Sequence, residues 1–341
     1  MNLSELRATA KAMVSKGKGL IAMDESAPTI AKRFKKVGIE DNVDNRRAYR
    51  ELLLSTPELA NYISGAILFD ETIRQCTRDG VPFAKYMQQL GIIPGIKVDK
   101  GVKPLAGFPG EGVTEGLDGL RERLAEYYGM GARFAKWRAT ISIDPGIPTP
   151  FCIEANAHAM ARYAALCQEA NIVPIVEPEV LIDGNHTLEQ CYDASILTLR
   201  ALFRQLAEHR VAFEGTILKA SMVISGLEAP KRAGVDEVAD ATVRCLLDTV
   251  PASLPGVVFL SGGQGNEEAT AHLNAMNARH KKLPWPLTFS YSRALQSPVM
   301  ETWKGNAANA AAAQRELQRR AKFNSLAATG SYQPQMEQEA A

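Results

Sequence analysis

Residues 132–140 read ARFAKWRAT and residues 171–179 read NIVPIVEPE, and these two stretches decide the fold. Each is a short apolar run with charges inside it or at its C-terminal end. In an extended strand, residues two apart share a face, so Lys136 and Arg138 make one same-face pair and Glu177 and Glu179 another. Trp137 alternates with the first pair and is expected to pack outward. Strands buried on both faces, as parallel sheets require, read as continuous apolar runs. Charges inside such strands are costly unless something pairs with them.

Six further runs repeat the pattern: GLIAMD (Gly19–Asp24), SGAILFD (Ser64–Asp70), IPGIKVD (Ile93–Asp99), GTILKASMV (Gly215–Val223), GVVFLSGG (Gly256–Gly263) and PLTFSYS (Pro286–Ser292). Between the runs lie amphipathic stretches such as LDGLRERLAEYYGMGA, IEANAHAMARYAALCQEA and LEQCYDASILTLRALFRQLAEH, with apolar residues at helical spacing. Eight strand–helix units predict an α/β chain folded as a (β/α)₈ barrel. A helix around Leu3–Lys16 precedes the first strand, and the Ala-rich stretch after the last unit predicts another, followed by a polar tail. The expected organisation is one domain over residues 1–341, with the barrel at about 18–305 and the C-terminal helix and tail at about 306–341. A doubly wound open sheet is the competing fold, but no GxGxxG follows the first strand.

Composition narrows the function classes. The 341 residues are 46% hydrophobic and 23% charged, which excludes a disordered chain. A net charge of +1 supplies no global field for a polyanion such as nucleic acid. Cys76, Cys152, Cys167, Cys191 and Cys245 form no CxxC or metal spacing; Cys152 and Cys167 read as small hydrophobes on a helix face. No stretch has signal-peptide or membrane-span character, so a reduced, soluble, cytoplasmic protein is expected.

The ionisable residues recur in phase. Asp24 ends the first run, Lys97 and Asp99 end the third, and Lys219 sits inside the sixth. Lys97, Lys136, Glu177, Lys219 and Ser261 are 39, 41, 42 and 42 residues apart, one polar group per unit at similar depth. In a barrel they converge on the C-terminal mouth, where such enzymes keep their chemistry. A lone lysine at a strand end is ordinarily solvated, and Asp24 before a helix is a candidate cap; five positions in phase point to a shared site.

Two phosphate sites are readable. Ser261, Gly262 and Gly263 lie between the seventh strand and a helix, where small residues expose backbone N–H groups; Ser290 and Arg293 follow the eighth strand. Lys32, Arg33 and Lys97 form a second cationic set at the opposite rim, although Lys32 and Arg33 equally suit a solvated helix face. The five histidines (His158, His186, His209, His272, His280) fall outside the strands, so no metal site is expected, and His158, His209 and His272 read as helix residues of the surface or core.

A lysine with its usual pKa of about 10.4 is almost never neutral at pH 7. Neighbouring cations and desolvation free the amine to attack a carbonyl. Lys219, flanked by Ile217, Leu218 and Ala220, is the candidate nucleophile. Lys136 would supply the depressing charge, and Glu177 would move protons.

The segments MDES, ILFDET, GIKVDKGV, PLAG, GLDGL, FAKWR, ARYA, IVPIVEPE, FLSGGQ, LNAMN, LTFSYSRALQ and NSLA resemble class I fructose-1,6-bisphosphate aldolase, from about Lys18 to about Tyr332. The resemblance implies metal-independent, cofactor-free, reversible cleavage of fructose 1,6-bisphosphate to dihydroxyacetone phosphate and glyceraldehyde 3-phosphate, a step of glycolysis and gluconeogenesis. It implies Lys219 as the Schiff-base residue, Glu177 as general acid/base, and Asp24 and Lys136 as assistants. Ser261, Gly262, Gly263, Ser290 and Arg293 would hold the ketose-end phosphate, and Ser26, Thr29, Arg33 and Lys97 the other. Arg138 and Glu179 complete the substrate-binding set. The resemblance also implies a homotetramer, with small phosphosugars as partners and neither nucleic acid nor membrane.

Some positions depart from the family pattern. Ala220-Ser221 stands where Pro-Asn is usual, Thr29 where Ser is, and Ser292 where Gly is. The chain lacks the longer tail with a terminal Tyr, so its last tyrosine is Tyr332. Proton exchange next to the imine then falls to Tyr332, to a tail carboxylate (Glu337 or Glu339), or to a barrel group, and a mobile, solvated tail favours the barrel group. Another imine-forming lyase shares the chemistry, a metal-dependent aldolase would need strand-end histidines, and a non-catalytic phosphosugar-binding protein leaves Lys219 beside Glu177 unexplained.

Overall fold

The computed structural model describes residues 1–339. All eight runs are strands: β1 (Gly19–Ala22), β2 (Ile63–Leu68), β3 (Ile93–Lys97), β4 (Phe134–Ile141), β5 (Val173–Val180), β6 (Ile217–Ala220), β7 (Val257–Phe259) and β8 (Leu287–Tyr291). They pair in parallel, each with its neighbours in sequence, and β8 closes onto β1. The strands are shorter than the apolar runs, so Asp24, Asp99 and Ser261 stand just beyond strand ends.

The principal helices are α1 (Leu3–Met13), α2 (Ala27–Lys36), α3 (Val43–Leu54), α4 (Phe83–Gln89), α5 (Leu120–Gly129), α6 (Pro150–Glu169), α7 (Leu188–Glu208), α8 (Val235–Thr249), α9 (Asn266–Arg279), α10 (Arg293–Trp303) and α11 (Ala310–Ala327). They link the strands around the outside, except α1, which precedes β1, and α11, which follows the last barrel helix. One element escaped the sequence reading: an antiparallel hairpin of Val102–Pro104 with Gly112–Thr114 in the loop after β3. Its strands are three residues each, too short for alternation to register. No helix among the described residues is long and apolar enough to cross a membrane.

Two apolar layers position the site. Outside the barrel, one continuous core joins strands to helices; Trp137 lies in it as expected, its ring 5.5 Å from that of Tyr163. Inside the barrel, Leu20, Ala22, Ile67, Phe134, Val173, Ile175, Ile217 and Val258 pack with Leu6, Ala10, Met13 and Val14, so α1 plugs the N-terminal mouth. Phe134 requires glycine beside it: a Cβ on Gly95 would lie 2.2 Å from its ring. The barrel is therefore filled from below, and the polar layer sits on an apolar floor.

Register refines the depth argument. Lys97 pairs with Lys136, level across β3 and β4. Lys136 pairs with Ile175, which sets Glu177 two residues further along. Ile175 pairs with Ile217, so Glu177 and Lys219 are level. Lys219 pairs with Val258, leaving Ser261 three residues higher. This stagger is the shear that closing a barrel demands, and a constant spacing in sequence conceals it.

Gln333, Pro334, Gln335 and Gln338 of the C-terminal tail are exposed as expected, but one tail glutamate is not a free solvated charge. Glu337, in a short helical turn (Met336–Glu339), forms an ion pair with the buried Arg320 of α11 and accepts a hydrogen bond from Tyr332 Oη at 3.1 Å. Arg320 also donates to Thr270 Oγ1 (2.6 Å) and to the Asn266 carbonyl (3.0 Å), fastening the tail to the first turn of α9. The Glu339 side chain lies outside the described residues.

Candidate active site

The in-phase charges meet at the C-terminal mouth in a cleft of about 490 Å³. Lys136 Nζ lies 2.7 Å from Asp24 Oδ2 and 3.3 Å from Glu177 Oε2, while Lys219 Nζ lies 2.9 Å from Glu177 Oε1. Asp24, Lys136, Glu177 and Lys219 are each less than a tenth exposed. They form a chain, Asp24–Lys136–Glu177–Lys219, with both lysines converging on one carboxylate. Asp24 does not cap a helix: Ser26 occupies the N-cap position of α2, leaving Asp24 to Lys136.

The mutual pairing fixes the charge states. Burial works to raise the Asp24 pKa, but the charges of Lys136 and Lys219 outweigh it and bring it down to about 2. Burial likewise opposes the Glu177 carboxylate, and Lys219, Lys136 and Arg138 overcome it, holding its pKa below the ordinary value. For Lys136, burial disfavours the ammonium, yet Asp24, Glu177 and Asp99 hold its pKa above that of a free lysine. The contact between Lys136 and Glu177 Oε2 lacks hydrogen-bond geometry, so this buried oxygen has no hydrogen-bond donor. From sequence, Lys136 is expected to act on Lys219 as a depressing cation from two strands away, with Glu177 on the neighbouring strand moving protons. The structure interposes that carboxylate between the two lysines.

The outer residues of the mouth are arranged around this centre. Lys97 Nζ contacts Asp99 Oδ1 at 2.7 Å, and Arg138 pairs with Glu179. Ser26 Oγ lies 3.1 Å from Thr29 Oγ1 at the start of α2. Ser261 and Gly262 line one side with Ser290 and Arg293, while Gly263 stands behind, its Cα hydrogens facing Ile182 and the Arg293 guanidinium. Arg293 makes no ion pair among the described residues; burial and the nearby Arg33 both disfavour its positive charge. Ser290 Oγ is buried without a partner. An unopposed cation and a free hydroxyl beside glycine N–H groups suit an anion.

Arg33 does not stand at an opposite rim as expected but lies beside Arg293, above a buried group that no local signal announces. Glu25 is buried and accepts hydrogen bonds from Arg50 Nη1 (2.6 Å), Ser292 Oγ (2.7 Å) and Gln296 Nε2 (2.8 Å), and it pairs with Arg33. Arg50 and Gln296 sit within helices distant in sequence, and no local signal marks them. Ser292, the residue in place of glycine, also accepts from Arg33 Nη1 at 3.0 Å. Its hydroxyl ties Arg33 to the turn that presents Arg293. Ala220 is the last residue of β6 and Ser221 follows it, its Oγ buried without a partner. Among the described residues, no group of three or more His, Cys, Asp or Glu is placed to hold a metal ion.

A closed parallel barrel with buried amine–carboxylate pairs in its C-terminal mouth defines the class: a (β/α)₈-barrel enzyme. A family model described as fructose-bisphosphate aldolase class-I matches residues 5–341. A relative named probable fructose-bisphosphate aldolase class 1, from Xanthomonas campestris, is 64% identical over 333 residues, covering 97% of this chain and 99% of the relative. The fructose-bisphosphate aldolase of Dictyostelium discoideum is 53% identical, covering 96% of this chain and 92% of its own. The fructose-bisphosphate aldolase of Plasmodium falciparum, solved with TRAP and a small-molecule inhibitor, superposes with a TM-score of 0.95 at 48% identity, covering 97% of this chain and 96% of that one. The chain belongs to the class I fructose-bisphosphate aldolase family. Its activity is the reversible cleavage of fructose 1,6-bisphosphate to dihydroxyacetone phosphate and glyceraldehyde 3-phosphate through a lysine Schiff base, a step of glycolysis.

Proposed function

We propose that Lys219 is the Schiff-base lysine and that Glu177 is the group that moves its protons. The observation carrying this reading is the 2.9 Å contact between Lys219 Nζ and an ionised, buried Glu177 carboxylate. Transfer of one ammonium proton across that contact frees the Lys219 amine, which attacks the ketose carbonyl. Glu177, now protonated, returns the proton to the departing hydroxyl, and water leaves as the imine forms. The cationic imine then withdraws electrons from the carbon–carbon bond beta to it. Asp24, kept ionised by Lys136, is the base suited to take the proton of the substrate hydroxyl as that bond breaks. Electrons of the broken bond remain as an enamine, which a proton and then water convert to dihydroxyacetone phosphate and free Lys219.

Two adjoining sets of cations and hydroxyls divide the substrate's charges, meeting where Ser292 accepts from Arg33 beside Arg293. Arg293, Ser290, Ser261, Gly262 and Gly263 hold the ketose-end phosphate. Arg33, Lys97, Ser26 and Thr29 face the other, with Arg138 and Glu179 at the hydroxyls between. The chain acts as a single domain, assembles as a homotetramer and works in the cytoplasm. The spinach relative, 50% identical, is named a cytoplasmic isozyme.

The test is borohydride reduction with fructose 1,6-bisphosphate in excess EDTA, followed by peptide mass mapping. Substrate carbon should be fixed on the peptide containing Thr216–Ser221. Lys219→Arg should abolish trapping, because a guanidinium cannot serve as the amine. An adduct on Lys136 or Lys97 would overturn the assignment.

A further inference from the structure

The loop Ser261–Gln264 carries two adjacent glycines with positive φ, +57° at Gly262 and +109° at Gly263. Glycine loses more conformational freedom on ordering than any other residue, so such a loop offers aligned N–H groups only if something restrains it. Its backbone supplies one restraint, the Gln264 N–H donating to the Ser261 carbonyl at 2.9 Å. The other is a side-chain strut outside the cleft. Gln264 is buried, and its Oε1 lies 2.7 Å from Nδ1 of His272, a buried residue two turns along α9. Gln264 Nε2 points the other way, 3.6 Å from Met222 Sδ. Met222 lies two residues beyond the end of β6, on the loop that follows Lys219.

We propose that His272 is a positioning residue of this enzyme: through Gln264 it locks the glycine loop to α9 and to the segment after Lys219, holding the loop's N–H groups toward the ketose-end phosphate. The proposal rests on the phosphate assignment given to that loop above. An amide oxygen only accepts, so Nδ1 carries the proton. Burial lowers the His272 pKa to about 4, with Glu268 opposing and Arg232 reinforcing the shift. The ring is therefore neutral in the working range, and a neutral Nδ1–H donor keeps the strut insensitive to pH. Among the described residues, His158, His186, His209 and His280 have no comparable link to the cleft.

A strut of this kind acts on binding. The phosphate is held alike in the ground and transition states, so losing loop alignment raises KM and leaves kcat nearly unchanged. His272→Leu should raise KM for fructose 1,6-bisphosphate by about three- to tenfold, the scale of one buried hydrogen bond, with kcat within about twofold. Gln264→Met removes the acceptor at similar volume and should give the same change. The double variant should be no worse than either single one, because both break one link. His272→Asn places an amide donor near the Nδ1 position and should restore KM. Ser261→Ala, within the loop itself, is measured in parallel. An unchanged KM in Gln264→Met alongside a raised KM in Ser261→Ala overturns the strut and leaves the phosphate assignment standing. An unchanged KM in all the variants overturns the phosphate assignment, and the strut with it. Should His272→Leu fail to fold, Gln264→Met and His272→Asn carry the same comparison.

Discussion

At the scale of single residues, the site is a matter of which carboxylate touches which amine. Glu177 and Glu179 share a face and are alike in sequence. In the structure Glu177 contacts both lysines, whereas Glu179 is engaged by Arg138. Glu177→Gln should therefore slow turnover by about 10²-fold or more, the usual scale for a lost general acid/base. Glu179→Gln should act mainly on KM, and steady-state kinetics of both variants check this; greater loss of kcat in Glu179→Gln would exchange their roles. Asp24 supplies a pH prediction. Its folded pKa of about 2 lies below the ordinary 3.8, so its contribution to stability is present above about pH 4 and is lost as pH falls towards 2. The shift corresponds to roughly 2 kcal/mol. Urea unfolding of Asp24→Asn should show a shallower loss over that interval than the parent chain; an equal slope would place the acid sensitivity elsewhere.

At the scale of elements, the informative departures are a hairpin, a rim and a tail. The hairpin after β3 left no periodic signal because each strand has only three residues. The Glu25 cluster binds α2, α3 and α10 together beneath Arg33, and its members are apart in sequence by up to 271 residues. The tail is exposed over much of its length but is not free, because burying Arg320 creates a demand for a carboxylate that Glu337 meets. Glu337→Ala leaves that guanidinium with only its two α9 oxygens. It should cost about 3 kcal/mol, the low end for breaking a buried pair, read as a lower urea midpoint with unchanged slope. No measurable loss would mean that Arg320 finds solvent or another acceptor. Truncations that probe a catalytic tail should therefore keep Glu337, since a cut after Leu326 confounds chemistry with stability.

At the scale of the whole molecule, the barrel is an apolar cup plugged by α1, with charge confined to its open end. The proposed homotetramer is checked by sedimentation equilibrium of the full chain at micromolar concentration; a mass near 37 kDa would reject it. Much of this architecture was legible in the chain. Eight apolar runs in the lengths of buried strands, separated by helical periods, leave little besides a (β/α)₈ barrel, and the parity of Lys136/Arg138 and Glu177/Glu179 already sets them on shared faces. Side-chain parity and hydrophobic period are local properties, so sequence determines them directly. What sequence could not supply was depth and partnership. The shear of the closed sheet raises Glu177 level with Lys219 and two residues above Lys136, and a spacing near 40 residues hides that offset. Strand order alone already puts a carboxylate-bearing strand beside Lys219; the offset decides that Glu177, and not Glu179, is level with it. Glu25 with Arg50, Gln264 with His272 and Glu337 with Arg320 likewise exist only after folding brings distant segments together, because a buried charge or amide must find its partner in space, and nothing in its sequence neighbourhood says where.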